Sequence, residues 1–234
     1  MRPRNRSRRL ALAQALVVVG ALAKATAAPA APVDAGAIAT NGLPPGVPAC
    51  QACHGAKGEG NMAAGFPRLA GSGRGYLTEQ MASYASGQRQ SPVMQPIAAA
   101  LSTGQQAALA SYYAGLGESH PTAVGGVDPL PAQAGAWLAS RGRWAADIPA
   151  CAQCHGVRGL GIGDAFPPLA GQPASYLSAQ LQSWKHGTRP PGPQSLMAAI
   201  AARLSDADIA AVADYYAGLP ADGAPAQTTQ GAKP

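Results

Sequence analysis

Cys50-Gln51-Ala52-Cys53-His54, met again as Cys151-Ala152-Gln153-Cys154-His155, decides how this chain is read. C-x-x-C-H is the attachment signal for c-type haem. Two thiols bond the vinyl groups of the macrocycle, and the adjacent His becomes the proximal iron ligand. One helical turn starting at the first Cys puts all three side chains on one face. A zinc clip or a redox dithiol would use the same Cys pairs, but neither needs a His directly after the second. These two sites consume all four cysteines of the chain, so no structural disulfide is left to assign. The covalent attachment residues are Cys50, Cys53, Cys151 and Cys154, and the proximal ligands are His54 and His155.

Outward from the two motifs, the surroundings repeat with an offset of 100 to 103 residues. Residues 35–42 match 135–142. Phe66-Pro67-Arg68-Leu69-Ala70-Gly71 matches Phe166-Pro167-Pro168-Leu169-Ala170-Gly171. Tyr76-Leu77 matches Tyr176-Leu177, and Gly87-Gln88-Arg89 matches Gly187-Thr188-Arg189. An insertion at 190–192 then moves the register, so that Met94 falls on Met197 and Tyr112-Tyr113-Ala114-Gly115-Leu116 on Tyr215-Tyr216-Ala217-Gly218-Leu219. Each copy is long enough to fold as a unit, so the pattern is a duplicated domain and not a solenoid.

The 234 residues include 29 Gly and 22 Pro but only two Phe, seven Tyr and three Trp. Two halves of this composition would build thin cores unaided, and small domains commonly need a staple. A covalently held macrocycle would supply both the staple and the missing apolar volume. The expected division is a signal peptide at 1–27, a disordered start at 28–34, a first domain at 35–117 and a linker at 118–128. A second domain at 129–219 and a flexible tail at 220–234 complete it.

The leader has a basic start (Arg2, Arg4, Arg6, Arg8, Arg9), an apolar run over 10–23 and small-residue cleavage sites near Ala25 and Ala27. That is the form of an export signal, and the run is short for a membrane span. If uncleaved, it would be a membrane anchor; peripheral membrane association is the separate expectation for the exported chain. Six of the 17 basic residues lie before Thr26, leaving 11 against 11 acidic ones, so the net charge of +6 belongs to the leader. With no basic run and no basic face interleaved with aromatics, nucleic-acid binding has no support.

The periodicity predicts helices throughout. Leu77, Met81 and Tyr84, like Leu177, Leu181 and Trp184, fall at i, i+4, i+7. Ser102-x-x-Gln105 reads as a capping box and Ser205-x-x-Asp208 as an N-cap. They open helices with apolar faces Leu109, Tyr113, Leu116 and Ile209, Val212, Tyr216, Leu219. The Gly-rich stretches 55–65 and 156–163 read as loops wrapping the haem edge. Past the leader, the methionines are Met62, Met81, Met94 and Met197. Met62 has no counterpart and Met81 reads as core. Met94 and Met197 pair under the repeat, each in an inter-helix loop far enough past its His to cross to the other face of the ring. His/Met ligation fills both axial sites and suits electron transfer. His120 reads as a solvated linker residue, and His186 as a lesser alternative ligand.

On these motifs the chain resembles the cytochrome c4 family, periplasmic di-haem proteins made of two class I cytochrome c domains. The resemblance covers residues 35–219. It implies an all-α fold of two tandem domains, two covalent haem c groups, a periplasmic location and a carrier of electrons, not an enzyme. Implied partners are a terminal oxidase or reductase, a quinol-oxidising complex or a dehydrogenase. The resemblance also implies that Pro67 and Pro167 accept the Nδ1 hydrogens of His54 and His155. Arg89 and Arg189 would be neighbours of the haem carboxylates, or else solvated turn residues. The alternatives are a cytochrome subunit of a dehydrogenase or oxidase complex, and a di-haem redox enzyme. The enzyme reading suits the residues poorly, because both halves carry the same Met and no spare Cys exists.

Overall fold

The computed structural model describes residues 32–117 and 133–222. The leader, His120, the linker and most of the tail lie outside the described residues. The first half contains α1 (Ala35–Asn41), α2 (Gln51–His54), α3 (Arg74–Ala85), α4 (Met94–Ala99) and α5 (Thr103–Gly115). The second repeats the order as α6 (Ala134–Arg141), α7 (Ala152–His155), α8 (Ala174–Lys185), α9 (Leu196–Ala201) and α10 (Asp206–Ala217). Short 3₁₀ turns interrupt only the second half, at Trp144–Ala146, Val157–Gly159 and Pro193–Ser195. Among the described residues, extended pairing is confined to isolated bridges, such as Asn61 with Phe66 and Ile162 with Phe166. The fold is all-α, as the periodicity predicts.

Local chemistry sets the helix ends. Asp34 caps α1 by accepting from the Ala37 N–H at 2.9 Å. Helix α1 stops at Gly42 and α6 at Gly142, with φ of 75° and 71°. A Cβ there would sit 2.3 Å from the Val47 carbonyl oxygen, or 2.4 Å from that of Ile148, so both the left-handed turn and the close approach demand glycine. These turns bring the chain back through the Leu43–Val47 and Arg143–Ile148 bridges to the single-turn helices α2 and α7. Both C-terminal helices begin with complete capping boxes, Ser102 with Gln105 and Ser205 with Asp208. The second is fuller than expected, because the Asp208 carboxylate reaches back to the Ser205 N–H at 3.0 Å.

In each half the C-terminal helix is the hub, with α1 and α3 packed on α5 and α6 and α8 packed on α10. The first core is one cluster around Ile38, Val47, Leu77, Leu101, Leu109 and Tyr113, with Met81 against it. The second divides in two, one part around Leu177, Val212 and Tyr216 and the other around Leu138, Ile148, Leu204 and Ile209, bridged by Leu181. Leu116, expected on the apolar face of α5, is 39% exposed because it falls past the helix end as its C-cap.

The described residues from Val33 onward form one packed unit containing both halves. At their junction Arg89 Nη1 donates to Gln80 Oε1 of its own half at 2.7 Å. Its Nη2 donates across to Tyr176 Oη at 3.1 Å and Gln180 Oε1 at 2.6 Å. Arg189 mirrors this, donating to Gln180 at 3.0 Å and across to Tyr76 at 3.3 Å and Gln80 at 2.9 Å. Away from this centre the symmetry fails. The Asp164 carbonyl accepts from the Tyr76 N–H at 2.8 Å, and its carboxylate accepts from the Arg74 N–H at 3.1 Å. This approach is so close that a Cβ on Gly73 would lie 2.4 Å from the Asp164 carbonyl oxygen.

Candidate haem sites

Each C-x-x-C-H stretch forms its own helical turn, with the His54 N–H bonded to the Cys50 carbonyl and the His155 N–H to that of Cys151, both at 2.9 Å. The turn places two half-buried Cys and one buried His on a common side. The Phe-Pro-x-Leu-Ala-Gly loop holds each His by two restraints. His54 Nδ1 lies 2.8 Å from the Pro67 carbonyl oxygen, and His155 Nδ1 is 2.8 Å from that of Pro167. Phe66 and Phe166 meet the imidazoles edge-on, with centroids 6.2 Å apart in both halves. A carbonyl can only accept, so Nδ1 carries the proton and Nε2 keeps a lone pair for a metal. Burial lowers both imidazole pKa values, only partly opposed by the carbonyl bond, and so favours the neutral, ligating form. The loops are pinned in turn, since the Leu69 and Ala70 N–H groups both donate to Gly58 and those of Leu169 and Ala170 to Gly159.

Of the thiols, Cys50 and Cys151 pack against the cores built on the C-terminal helices. Burial pushes the Cys50 thiol up, and that of Cys151 to about 11. Tyr113 and Tyr216 stand beside them, and the buried Tyr216 hydroxyl has no hydrogen-bond partner of normal geometry. Met94 and Met197 are half-buried and lie in the first turns of α4 and α9, not in loops. Pro96 is tolerated in the first turn of α4 because its missing N–H would have had no intrahelical acceptor. Met62 is 52% exposed, and His186 is an exposed C-cap of α8.

Arg89 and Arg189 are not solvated turn residues. They are 4% and 6% exposed, because the opposite half closes over each turn. Arg89 stacks 4.5 Å over the Tyr84 ring and Arg189 3.8 Å over that of Trp184. Neither meets a carboxylate among the described residues, and each has three of its five N–H donors engaged. Two buried guanidinium groups without counter-ions are costly, and an anionic group at the junction would offset that cost. The sequence reading missed Gln80 and Gln180, which accept from both arginines. The available signal was a Gln repeated in register at i+4 from Tyr76 and Tyr176 on otherwise apolar helix faces. The donor set fits a haem c at each site, as an imidazole with Nε2 free, a paired-thiol turn and a buried cation, with the orphaned Tyr216 hydroxyl at the second site alone.

The fold and the paired sites define a di-haem cytochrome c. A cytochrome c family model matches residues 139–219. The thiosulfate dehydrogenase electron acceptor of Stutzerimonas stutzeri (strain A1501) is 47% identical over 178 residues, covering 76% of this chain and 82% of that protein. The cytochrome c4 of Pseudomonas aeruginosa PAO1 is 41% identical over 172 residues, covering 73% and 83%. A solved thiosulfate dehydrogenase from Marichromatium purpuratum, in its as-isolated form, superposes with a TM-score of 0.70 at 41% identity. That match takes in 80% of this chain and 40% of the other. The chain belongs to the cytochrome c4 family. It carries two covalent haem c groups and is an electron carrier, not a catalytic enzyme.

Proposed function

We propose that this carrier is the electron acceptor of a thiosulfate dehydrogenase, working outside the cytoplasm. The observation that carries the reading is the 47% identity, over most of both chains, to a protein named for that role. This moves the immediate partner from a terminal oxidase or reductase to a dehydrogenase, with the oxidase or reductase as the onward acceptor. The export-like leader and covalent haem attachment support a periplasmic setting. Among the described residues no helix is long and apolar enough to cross a membrane.

In this reading Cys50, Cys53, Cys151 and Cys154 hold the haems, and His54 with Met94 and His155 with Met197 are the axial pairs. When bound, each iron takes up and releases one electron. Pro67 and Pro167 fix the imidazoles through Nδ1, which leaves little ligand rearrangement between oxidation states. Arg89 and Arg189, with N–H donors to spare, would hold the haem carboxylates at the junction of the halves, which would balance the buried guanidinium charges.

The test is to mix oxidised protein with thiosulfate and a purified thiosulfate dehydrogenase, following haem reduction by stopped flow. Both haems should reduce only when enzyme and thiosulfate are both present, and faster than with an unrelated c-type cytochrome at equal concentration. No advantage over the unrelated cytochrome would overturn the assignment and leave a general respiratory carrier.

A further inference from the structure

The two proximal loops are built alike except at one peptide unit. In the second half Pro167 is followed by Pro168, so the peptide whose carbonyl accepts from His155 has no N–H. In the first half Pro67 is followed by Arg68, and the same unit keeps its N–H. That N–H donates at 3.0 Å to Oε1 of Gln172, a residue of the second half, and Gln172 Nε2 donates back to the Arg68 carbonyl at 2.8 Å. Gln172 is 4% exposed, and both bonds are partly buried. The reciprocal pair cannot form, because Pro168 lacks the donor and Ser72, at the position of Gln172 in the repeat, has no side-chain amide.

The bonds run in series, with Gln172 Oε1 accepting from the Arg68 N–H while the carbonyl of that same peptide accepts from His54 Nδ1. A peptide whose N–H is bonded carries more negative charge on its oxygen, and hydrogen bonds in a chain strengthen one another. A better acceptor on Nδ1–H makes the imidazole more basic at Nε2. A more basic ligand favours the oxidised iron. We propose that Gln172 is a positioning residue for His54, through which the second half fixes the ring and lowers the potential of the haem in the first. The inference rests on the reading of His54 as a haem ligand.

The test uses the full holoprotein and two readouts. One is the potential of each haem, the two distinguished by the hyperfine-shifted resonances of their axial ligands; the other is solvent exchange of the His54 Nδ1–H. Gln172→Leu should raise the potential of the first haem, speed that exchange and leave the second haem and His155 where they were. Arg68→Pro should raise the same potential relative to Arg68→Ala, which loses the same charge but keeps the N–H. The loop accepts proline there, as Pro168 shows. Adding Gln172→Leu to Arg68→Pro should shift the potential no further, because the N–H through which Gln172 acts is already gone. Unchanged potentials, equal shifts of both haems, or additive shifts from the two substitutions would overturn the proposal. A His54 ring with no hyperfine shift in the unaltered protein would overturn the ligand assignment itself, and the proposal with it.

Discussion

The segments bearing Met94 and Met197 occupy equivalent places in the repeat but are approached differently. In the first half the Met94 N–H donates to Ser91 Oγ at 3.0 Å, a side-chain cap on α4. In the second the insertion at 190–192 intervenes, and the chain enters α9 through Gln194 and Ser195, at φ of 56° and 55°. Left-handed backbone at non-glycine residues costs on the order of 1 kcal/mol each and persists only where neighbours hold it. Part of that hold is visible in Trp184 Nε1, which donates to the Pro190 carbonyl at 3.0 Å. Duplication has kept the thioether and changed its anchoring. The same contrast runs through the interface, symmetric at Arg89 and Arg189 and one-sided at Gln172 and Asp164.

Removing Met94 and Met197, the proposed axial ligands, is the strongest way to press the comparison. Met94→Ala and Met197→Ala should each abolish about half of the weak far-red band expected of ferric His/Met haems. Under rising denaturant the unaltered protein should lose the Met197 share first, because its segment is strained and the other is capped. Loss of both shares together would erase the distinction drawn here.

The symmetric centre gives the next effect. Gln80 and Gln180 each accept from both arginines. Replacing either by Leu leaves buried donors unmet, at about 1–3 kcal/mol. Denaturant unfolding of Gln80→Leu and Gln180→Leu should show similar losses, and a large difference would mean that the centre is not symmetric in energy.

Much of this architecture was legible from local spacing. The C-x-x-C-H turns, both terminal helices, the extent of α3 and the amphipathic α8 follow from spacings that a single segment carries, although α3 buries only Leu77 and is barely amphipathic. The interface did not, because its partners lie about a hundred residues apart, as Gln172 does from Arg68. Arg89 in a Gly-Gln-Arg turn looks solvated until the other half covers it. Met94, with Pro92 and Val93, reads as part of a loop between two helices, but α4 begins at Met94 itself, and its first turn accepts Pro96.

Acid should separate the halves. Arg143 bonds the Asp208 carboxylate at 2.6 and 3.1 Å, and this bond first, with help from Ser205, holds its pKa down at about 2. The first half has Leu43 and Gln105 in these places. The depressed pKa contributes stability above the unfolded carboxyl value of about 4, lost as pH falls towards about 2. Arg143→Ala should therefore destabilise the second half at neutral pH and flatten this window, as followed by unfolding curves between those values. An unchanged acid profile would remove the pair from the account.

Ser195→Gly should have the smallest effect, stabilising the Met197 segment by about 1 kcal/mol through relief of its positive φ. Delayed loss of the Met197 band share in denaturant is the reading to expect. Earlier loss would show that the serine side chain contributes more than its backbone costs.

With both halves in one packed body, electron exchange between the two haems is expected to be intramolecular, and that is what duplication would add to two like sites. Flash reduction of a fraction of the haems, repeated over a wide range of protein concentration, measures it directly. Redistribution between unequal haems should proceed at one rate whatever the concentration. A rate rising in proportion to concentration would mean that electrons pass between molecules, contradicting the role given to the junction.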